Sequence, residues 1–430
     1  MAISTTAVWE MRNGGDNTNG GFYRSDAGTT DYSQQDTAQL SLTDLASDGA
    51  GTGISSATGG FTAAMVGNGF RIESTGTFTA GWYEITAYTD TNNVTIDRSA
   101  GATKSGGAGK VGGAVALPTD ALLETFSPGN TLWVEAGTYT FTGSVALSKS
   151  GAQNNHIRII GYNTTRGDDP VGTDAPLFAF GAYSFTSGFY WDLHHLRATG
   201  TGTFLFKVYN GCIITDLDGE TTSGASTSAP INMAGAALLL RCYSKSASGC
   251  GVYATAAYGV AQDCYFYDSA RGGYTTQFAV TFNSCVADSC TTGFEVGNVC
   301  RVTNSTIYNA TTGIKSGAAN FGQYFFDNIF DTCTLGIEAT GANYRLLSGN
   351  NFYNCTTRVS AAYLEEGYGF TTDDPAFTNA PGGDLSTGAS MQRVHTFGGS
   401  PSTSTDRVGA VQSGNGGGGG LPSVFSHRPH

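Results

Sequence analysis

Three segments of this chain restate one pattern. DSCTTGF begins at Asp288, NATTGI at Asn309 and DTCTLGI at Asp331. Each runs from a polar residue through a short threonine-containing stretch to a glycine and then an apolar residue. The recurring glycines Gly202, Gly224, Gly251, Gly273, Gly293, Gly313 and Gly336 are spaced 22, 27, 22, 20, 20 and 23 residues apart. Cys242, Cys264 and Cys285 keep the same time, at 22 and 21. A period in this range means stacked supersecondary units, each burying its apolar face on its neighbours. Asp288, Asn309 and Asp331 read as equivalent turn-capping positions, because a turn accepts either acid or amide. The glycines read as the turns themselves.

Between the turns lie short β-branched and aromatic runs. The asparagine and leucine scaffold of leucine-rich repeats is absent. The expected fold class is therefore all-β, a right-handed parallel β-helix with coils of about 20–23 residues, preceded by a small β-rich N-terminal module. Only 13% of residues are charged while 62 are glycine and 12% aromatic, as strands and turns require.

The chain of 430 residues divides as follows. Residues 1–98 form the β-rich module, entered by an irregular arm. Within it GWYEITAYTDTNNVTIDRS alternates from Trp82 to Tyr88, turns at Asn92 and Asn93 and resumes at Val94, which is a hairpin signature. Residues 99–118 read as a glycine-rich linker. The β-helix spans 119–360, opened by a short capping helix that Thr119 or Asp120 caps and Pro128-Gly129 stops. A C-terminal cap follows at 361–412. The tail 413–430, SGNGGGGGLPSVFSHRPH, reads as a tether ending in an apolar anchor at Val424 and Phe425.

A net charge of −13 with no lysine- or arginine-rich run excludes nucleic acid and anionic membrane surfaces as expected partners. No 18-residue apolar run suggests a membrane span, and MAISTTAVWEMRNGG has no signal-peptide pattern, so assembly in a cytoplasm is expected. All nine cysteines lie between Cys212 and Cys355, with neither a CxxC pair nor histidine clustering, and read as small buried hydrophobes. No cofactor is expected, since no nucleophile elbow, Walker loop or dinucleotide fingerprint appears.

The candidate chemistry lies in WDLHHLR and ITDLDGE. Asp216, Asp218 and Glu220 alternate, so their carboxylates would share one side of a strand. If Asp192 stacks on Asp216, His194 stacks on Asp218. Asp192, His194, Asp216, Asp218 and Glu220 would then form one acidic face, able to bind calcium or to act as an acid/base pair on a glycosidic bond. Against this, acidic residues on a solvated coil are ordinary, and Arg197 is the one arginine nearby. His156 and His395 stand alone and read as surface or turn residues.

TLWVEAGTYT is similar to the entry coil of pectate-lyase-like right-handed β-helix proteins, and DDPAFTNAPGGDLS with RVGAVQ resembles the terminal cap such chains carry. SMQRVHTFGGSPSTST departs from that cap, replacing its Ser-Pro-Ala-(apolar)-Asp element. VWEMRNGGDNTNGGF, TDYSQQDTAQ and the Trp82 hairpin resemble a module found ahead of β-helices in tailed-phage virion proteins. That resemblance implies a non-enzymatic structural protein on the virion surface: a capsid decoration, head fibre or tail appendage, trimeric, whose partners are other virion proteins and itself. A host surface polysaccharide is a further expected partner. The alternatives are a polysaccharide depolymerase (lyase or glycosidase) on the same scaffold and a bacterial surface adhesin.

Overall fold

A computed structural model describes residues 3–317, 322–339 and 345–360, and beyond these the strands at 365–366, 377–379, 384–387, 393–397 and 400–406. The chain divides into two compact units, Met1–Ala179 with Ser187–Leu196, and Phe180–Thr186 with Arg197–His430.

In the first unit six antiparallel strands close a small barrel. Around the ring they are Leu40–Ser47, Gly53–Ser56, Asn93–Ile96, Gly81–Asp90, Gly69–Ile72 and Gly107–Val111, which returns to Leu40–Ser47. The Trp82 hairpin forms as its alternation predicts, with Tyr88 opposite Val94. Leu42, Leu45, Ile54, Phe70, Ile85 and Val111 fill the interior. The stretch expected to be a linker instead supplies the strand that closes the ring. Its glycines serve space and not flexibility: a Cβ on Gly107 would lie 2.5 Å from Phe78, and one on Gly109 2.7 Å from Phe70.

The N-terminal arm also differs from expectation. Val8–Met11 pairs in parallel with Thr131–Glu135, which pairs with Ile157–Tyr162 and, through it, with Trp191–His194. Trp9, Leu132, Ile159 and Leu193 therefore form one buried column. The arm is the first rung of a parallel ladder, and the barrel is inserted between that rung and the second. The expected helix forms over Asp120–Leu123, with the Thr119 hydroxyl accepting from the Leu122 N–H. Just past it, Phe126 stacks on Trp9 at 4.9 Å. Glu10, also on the first rung, is fully buried. Burial pushes its carboxyl up, opposed by Arg166 at 2.6 Å, the Tyr162 hydroxyl and Arg12 at 3.0 Å. Arg166 also reaches Asp31 at 3.0 Å, so one guanidinium ties the arm to the segment leading into the barrel.

The second unit is a parallel β-helix of three ladders. The first ladder runs through Leu238–Leu240, Val260–Gln262, Thr281–Asn283, Arg301–Thr303, Gln323–Phe326 and Arg345–Ser348. The second runs through Tyr243–Ser246, Tyr265–Tyr267, Val286–Asp288, Thr306–Tyr308, Ile329–Asp331 and Asn351–Tyr353. The third runs through Cys250–Ala254, Arg271–Thr275, Thr292–Val296, Thr312–Ser316, Leu335–Ala339 and Thr357–Val359.

One left-handed residue per coil turns the chain from the first ladder to the second: Asp216, Arg241, Asp263, Ser284, Asn304 and Asp327 all have φ between 51 and 58°. A second set, Asp268, Ser289, Asn309, Thr332 and Asn354, turns it from the second ladder to the third. Short polar side chains tolerate this conformation best, and they hold most of these corners. Asp288 thus pairs with Tyr308, and Tyr308 with Asp331, while the true corners are Ser289, Asn309 and Thr332.

Of the recurring glycines, Gly202 and Gly224 lie between strands, but Gly251, Gly273, Gly293, Gly313 and Gly336 lie inside strands of the third ladder. Gly251, Gly272, Gly293, Gly313 and Gly336 lie inside the third ladder, in register, where its backbone presses on the second. A Cβ on Gly293 would stand 2.5 Å from the Gly313 carbonyl and 2.8 Å from Ile307. The equivalent atom on Gly336 would meet Phe352 at 2.6 Å. One residue past the first corner the interior carries another column: Cys242, Cys264, Cys285, Ser305, Asn328 and Asn350. Its lower half is hydrogen-bonded rung to rung, Ser305 N–H to Asn328 Oδ1 at 3.0 Å and Asn328 N–H to Asn350 Oδ1 at 3.1 Å.

Of the expected C-terminal cap, two antiparallel hairpins are described, Phe377–Asn379 with Asp384–Thr387 and Arg393–Phe397 with Ser400–Asp406. RVGAVQ and the tail from residue 413 lie outside the described residues. Gly293→Ala is expected to lower stability by about 1–3 kcal/mol, because the methyl group has no space to enter. Gly224→Ala, whose Cβ would meet nothing within 4 Å, should stay within about 0.5 kcal/mol of wild type. Chemical denaturation of the two variants checks this.

Candidate functional site

Of the five acidic-face residues, Asp192 and His194 belong to the first unit and Asp216, Asp218 and Glu220 to the second. In the first unit Asp192 is buried to 8% exposure and faces three bases. His156 Nδ1 lies 2.6 Å from its Oδ1, Arg158 Nε 3.7 Å from Oδ2, and His194 Nε2 4.0 Å from Oδ2. Ladder register causes the meeting: Arg158 stands directly opposite Asp192 on the neighbouring strand. Burial alone would raise the Asp192 carboxyl, but His194 and His156 beside it outweigh burial and hold the group below its ordinary range.

His156 is thus no isolated surface histidine. Its Nε2 faces the Gln153 carbonyl at 3.2 Å, so both ring nitrogens point at oxygen acceptors. Neither is turned outward to take a proton from a substrate. Thirty-six residues separate His156 from Asp192, well beyond the 20–23-residue period, which is why the repeat pattern did not join them.

In the second unit Asp216, Asp218 and Glu220 alternate with buried Leu217, Gly219 and Thr221. Asp216 is a left-handed corner, φ 53°. The corner of the next coil, Arg241, grips it with two bonds of 2.8 and 2.7 Å. Asp218 and Glu220 face the same way. Burial pushes the Asp218 carboxyl up; Arg197, 4.0 Å away, pulls it down, and Glu220 adds to the rise. Glu220 is met by Lys245 at 3.6 Å, which stands opposite it on the next strand and also reaches Asp268 at 3.3 Å. Among the described residues no three His, Cys, Asp or Glu side chains converge to hold a metal ion, so the calcium expectation finds no ligand set. The set is a series of ion pairs between coils.

A different surface of this unit, unmarked in the sequence, is concave. On the outer side of the first ladder, Val260, Thr281, Arg301, Tyr324 and Leu346 stand in one row and Gln262, Asn283, Thr303 and Phe326 in the next. They line a shallow trough of about 530 Å³ with no carboxylate in its wall. Arg301 lies over the Tyr324 ring, 5.4 Å from its centroid. Among the described residues no carboxylate pairs with Arg301, whereas Arg197, Arg241 and Arg271 of the same unit are all paired. Sequence periodicity could have found these rows only with the strand register already known.

Acid titration tests the Asp192 cluster. Its carboxyl sits below the unfolded value of about 3.9, so the contribution is full above that pH and fades as pH falls through the folded value. The difference in thermal midpoint between wild type and Asp192→Asn is expected to be full near about pH 5 and to shrink as pH falls below about 3.9.

No protein-family model matches the chain, and no curated protein matches it in sequence. Among solved structures it is similar to the pectate lyase Pel9A, at a TM-score of 0.51 and 12% identity, over 70% of this chain and 92% of that one. An alginate lyase from Paenibacillus sp. str. FPU-7 matches at a TM-score of 0.41 and 14% identity, over 57% of this chain and 95% of that one, too distantly to carry an argument. The chain has the pectate-lyase-like parallel β-helix fold, and at such identity the likeness is one of fold alone.

Proposed function

We propose that this chain is a non-enzymatic structural protein of a phage particle. It would serve as a β-helical capsid decoration, head fibre or tail appendage, assembled as a homotrimer on the virion surface. Its trough on the first ladder would lie against an acidic polysaccharide of the host surface. One observation carries the non-enzymatic part: Asp192, Asp216, Asp218 and Glu220 are each met by an arginine or lysine on the same or a neighbouring coil. A glycosidase needs two carboxylates flanking one bond, and a lyase needs a base with an available lone pair. The pairing of these carboxylates and the engagement of both His156 ring nitrogens favour neither. The virion assignment rests on the resemblance of the N-terminal segments. The mechanical role is supported by continuous ladders of backbone bonds and stacked side chains, which resist shear and proteolysis.

The trough supports a saccharide partner by its chemistry. The amide and hydroxyl groups of Gln262, Asn283 and Thr303 suit sugar hydroxyls, Tyr324 offers a ring face, and Arg301 offers a positive charge in a protein of net charge −13. Coils recur about every 4.8 Å, close to the rise of one pyranose in an extended chain.

Purified protein mixed with sodium polygalacturonate, alginate or neutral dextran tests both parts. The expected result is retention by the acidic polymers with no fall in their chain length. Arg301→Ala and Tyr324→Ala should each weaken retention roughly tenfold, or about 1.4 kcal/mol. Cleavage that disappears in an Asp216→Asn, Asp218→Asn double variant would overturn the structural assignment in favour of a depolymerase. Images of particles carrying symmetric copies would support the virion role, and their absence from purified particles would sink it.

A further inference from the structure

The cysteines of the second unit are stacked, and one pair among them differs from the rest. Cys333 and Cys355 each follow a left-handed corner, Thr332 and Asn354, in consecutive coils. The register holds through the corner: Asp331 pairs with Tyr353 before it, and the Thr356 N–H donates to the Cys333 carbonyl after it, at 3.2 Å. The two residues therefore lie one above the other at a coil spacing of about 4.8 Å, within the roughly 4.4–6.8 Å Cα separation that disulfides span. Both side chains turn toward the preceding coil, Cys333 Sγ to the Ile307 carbonyl at 3.9 Å and Cys355 Sγ to the Phe330 carbonyl at 3.7 Å.

Accessibility separates this pair from the other stacked thiols. Eight of the nine cysteines are buried, and Cys355 is the half-buried exception. Cys242 and Cys264 are stacked in the same way, but both are sealed in the interior, where burial pushes their thiols far up. Cys333 and Cys355 influence one another's titration, so a proton lost from the pair is shared between a buried sulfur and a half-buried one. An accessible sulfur stacked beside a buried partner is the arrangement that thiol–disulfide exchange requires.

We propose that Cys333 and Cys355 form an oxidation-dependent disulfide that links two consecutive coils of the β-helix. The oxidant is a small-molecule disulfide such as oxidised glutathione. The Cys355 thiolate attacks one sulfur of that disulfide, forming a mixed disulfide and expelling one glutathione thiolate. Cys333 then loses its proton and attacks the Cys355 sulfur, expelling the second. Two protein thiols have then lost two protons and two electrons, and one glutathione disulfide has become two glutathione thiols. The bond closes a 20-odd-residue loop and fastens a rung of the second unit when the chain passes from reducing to oxidising surroundings.

The test uses the full-length folded chain, reduced and then exposed to oxidised glutathione. Intact mass after alkylation in denaturant should show seven alkylated cysteines of the nine and a loss of two hydrogens. Digestion should yield one linked peptide joining Cys333 to Cys355. The thermal midpoint should rise by about 5 °C and return on reduction. Cys355→Ser should abolish bond and shift together, while Cys264→Ser should keep both. The proposal fails if nine alkylatable thiols survive oxidation, if glutathione stays attached to Cys355, or if the linked peptide contains a different cysteine.

Discussion

The backbone of the third ladder lies so close against the second that no methyl group fits between them. That contact recurs at Gly251, Gly272, Gly293, Gly313 and Gly336, and the rest of the β-helix follows from it. Close approach narrows each coil, and a narrow coil has to change direction within a single residue. Left-handed corners provide that change at two positions per coil, one on either side of the second ladder. Because coils stack in register, a solution found once has to be repeated at every level, and the sequence period is the trace of that repetition. The residue just past the first corner points inward in every coil. Its column of thiols, hydroxyl and amides stays satisfied by bonding to carbonyls and to the rung beside it.

The outer surface obeys a different rule. Charges there are set opposite charges on neighbouring strands, as Arg158 is to Asp192 and Lys245 to Glu220. Such pairs contribute modestly to stability when solvent reaches them. They do remove the crowding of unpaired carboxylates that acid–base chemistry on this scaffold would need. The trough departs from the rule, with one arginine that no carboxylate among the described residues meets, set among neutral polar and aromatic side chains. The carboxylates Asp192, Asp216, Asp218 and Glu220 are thus engaged in ion pairs, and the wall of the trough carries no carboxylate.

Much of the β-helix was legible because stacking imposes a period that survives in one sequence. The same glycines that revealed the period were assigned to turns, since a glycine marks left-handed backbone and missing space equally well. Gly107 and Gly109 misled in the same way, reading as linker where two aromatic rings of the barrel leave no room for a side chain. Corners were concealed because Arg241 occupies a conformation usually held by Asn, Asp or Gly. Of the site, Asp192 and His194 were found together, but His156 and Arg158 were not, because a coil of irregular length hides their register with Asp192.

Local sequence therefore determined that this chain is all-β, that its second half repeats by coils, that a hairpin forms around Asn92 and that a short helix starts at Thr119. Those features depend on residues a few positions apart, whose preferences add along the chain. Tertiary structure alone decided that Val8–Met11 is the first rung of a ladder, that Gly107–Val111 closes a barrel, and that Asp216 faces Arg241 while Asp218 does not. Each of those pairings joins residues at least 25 positions apart, and the choice of partner rests on register and on space that exist only once the coils are stacked.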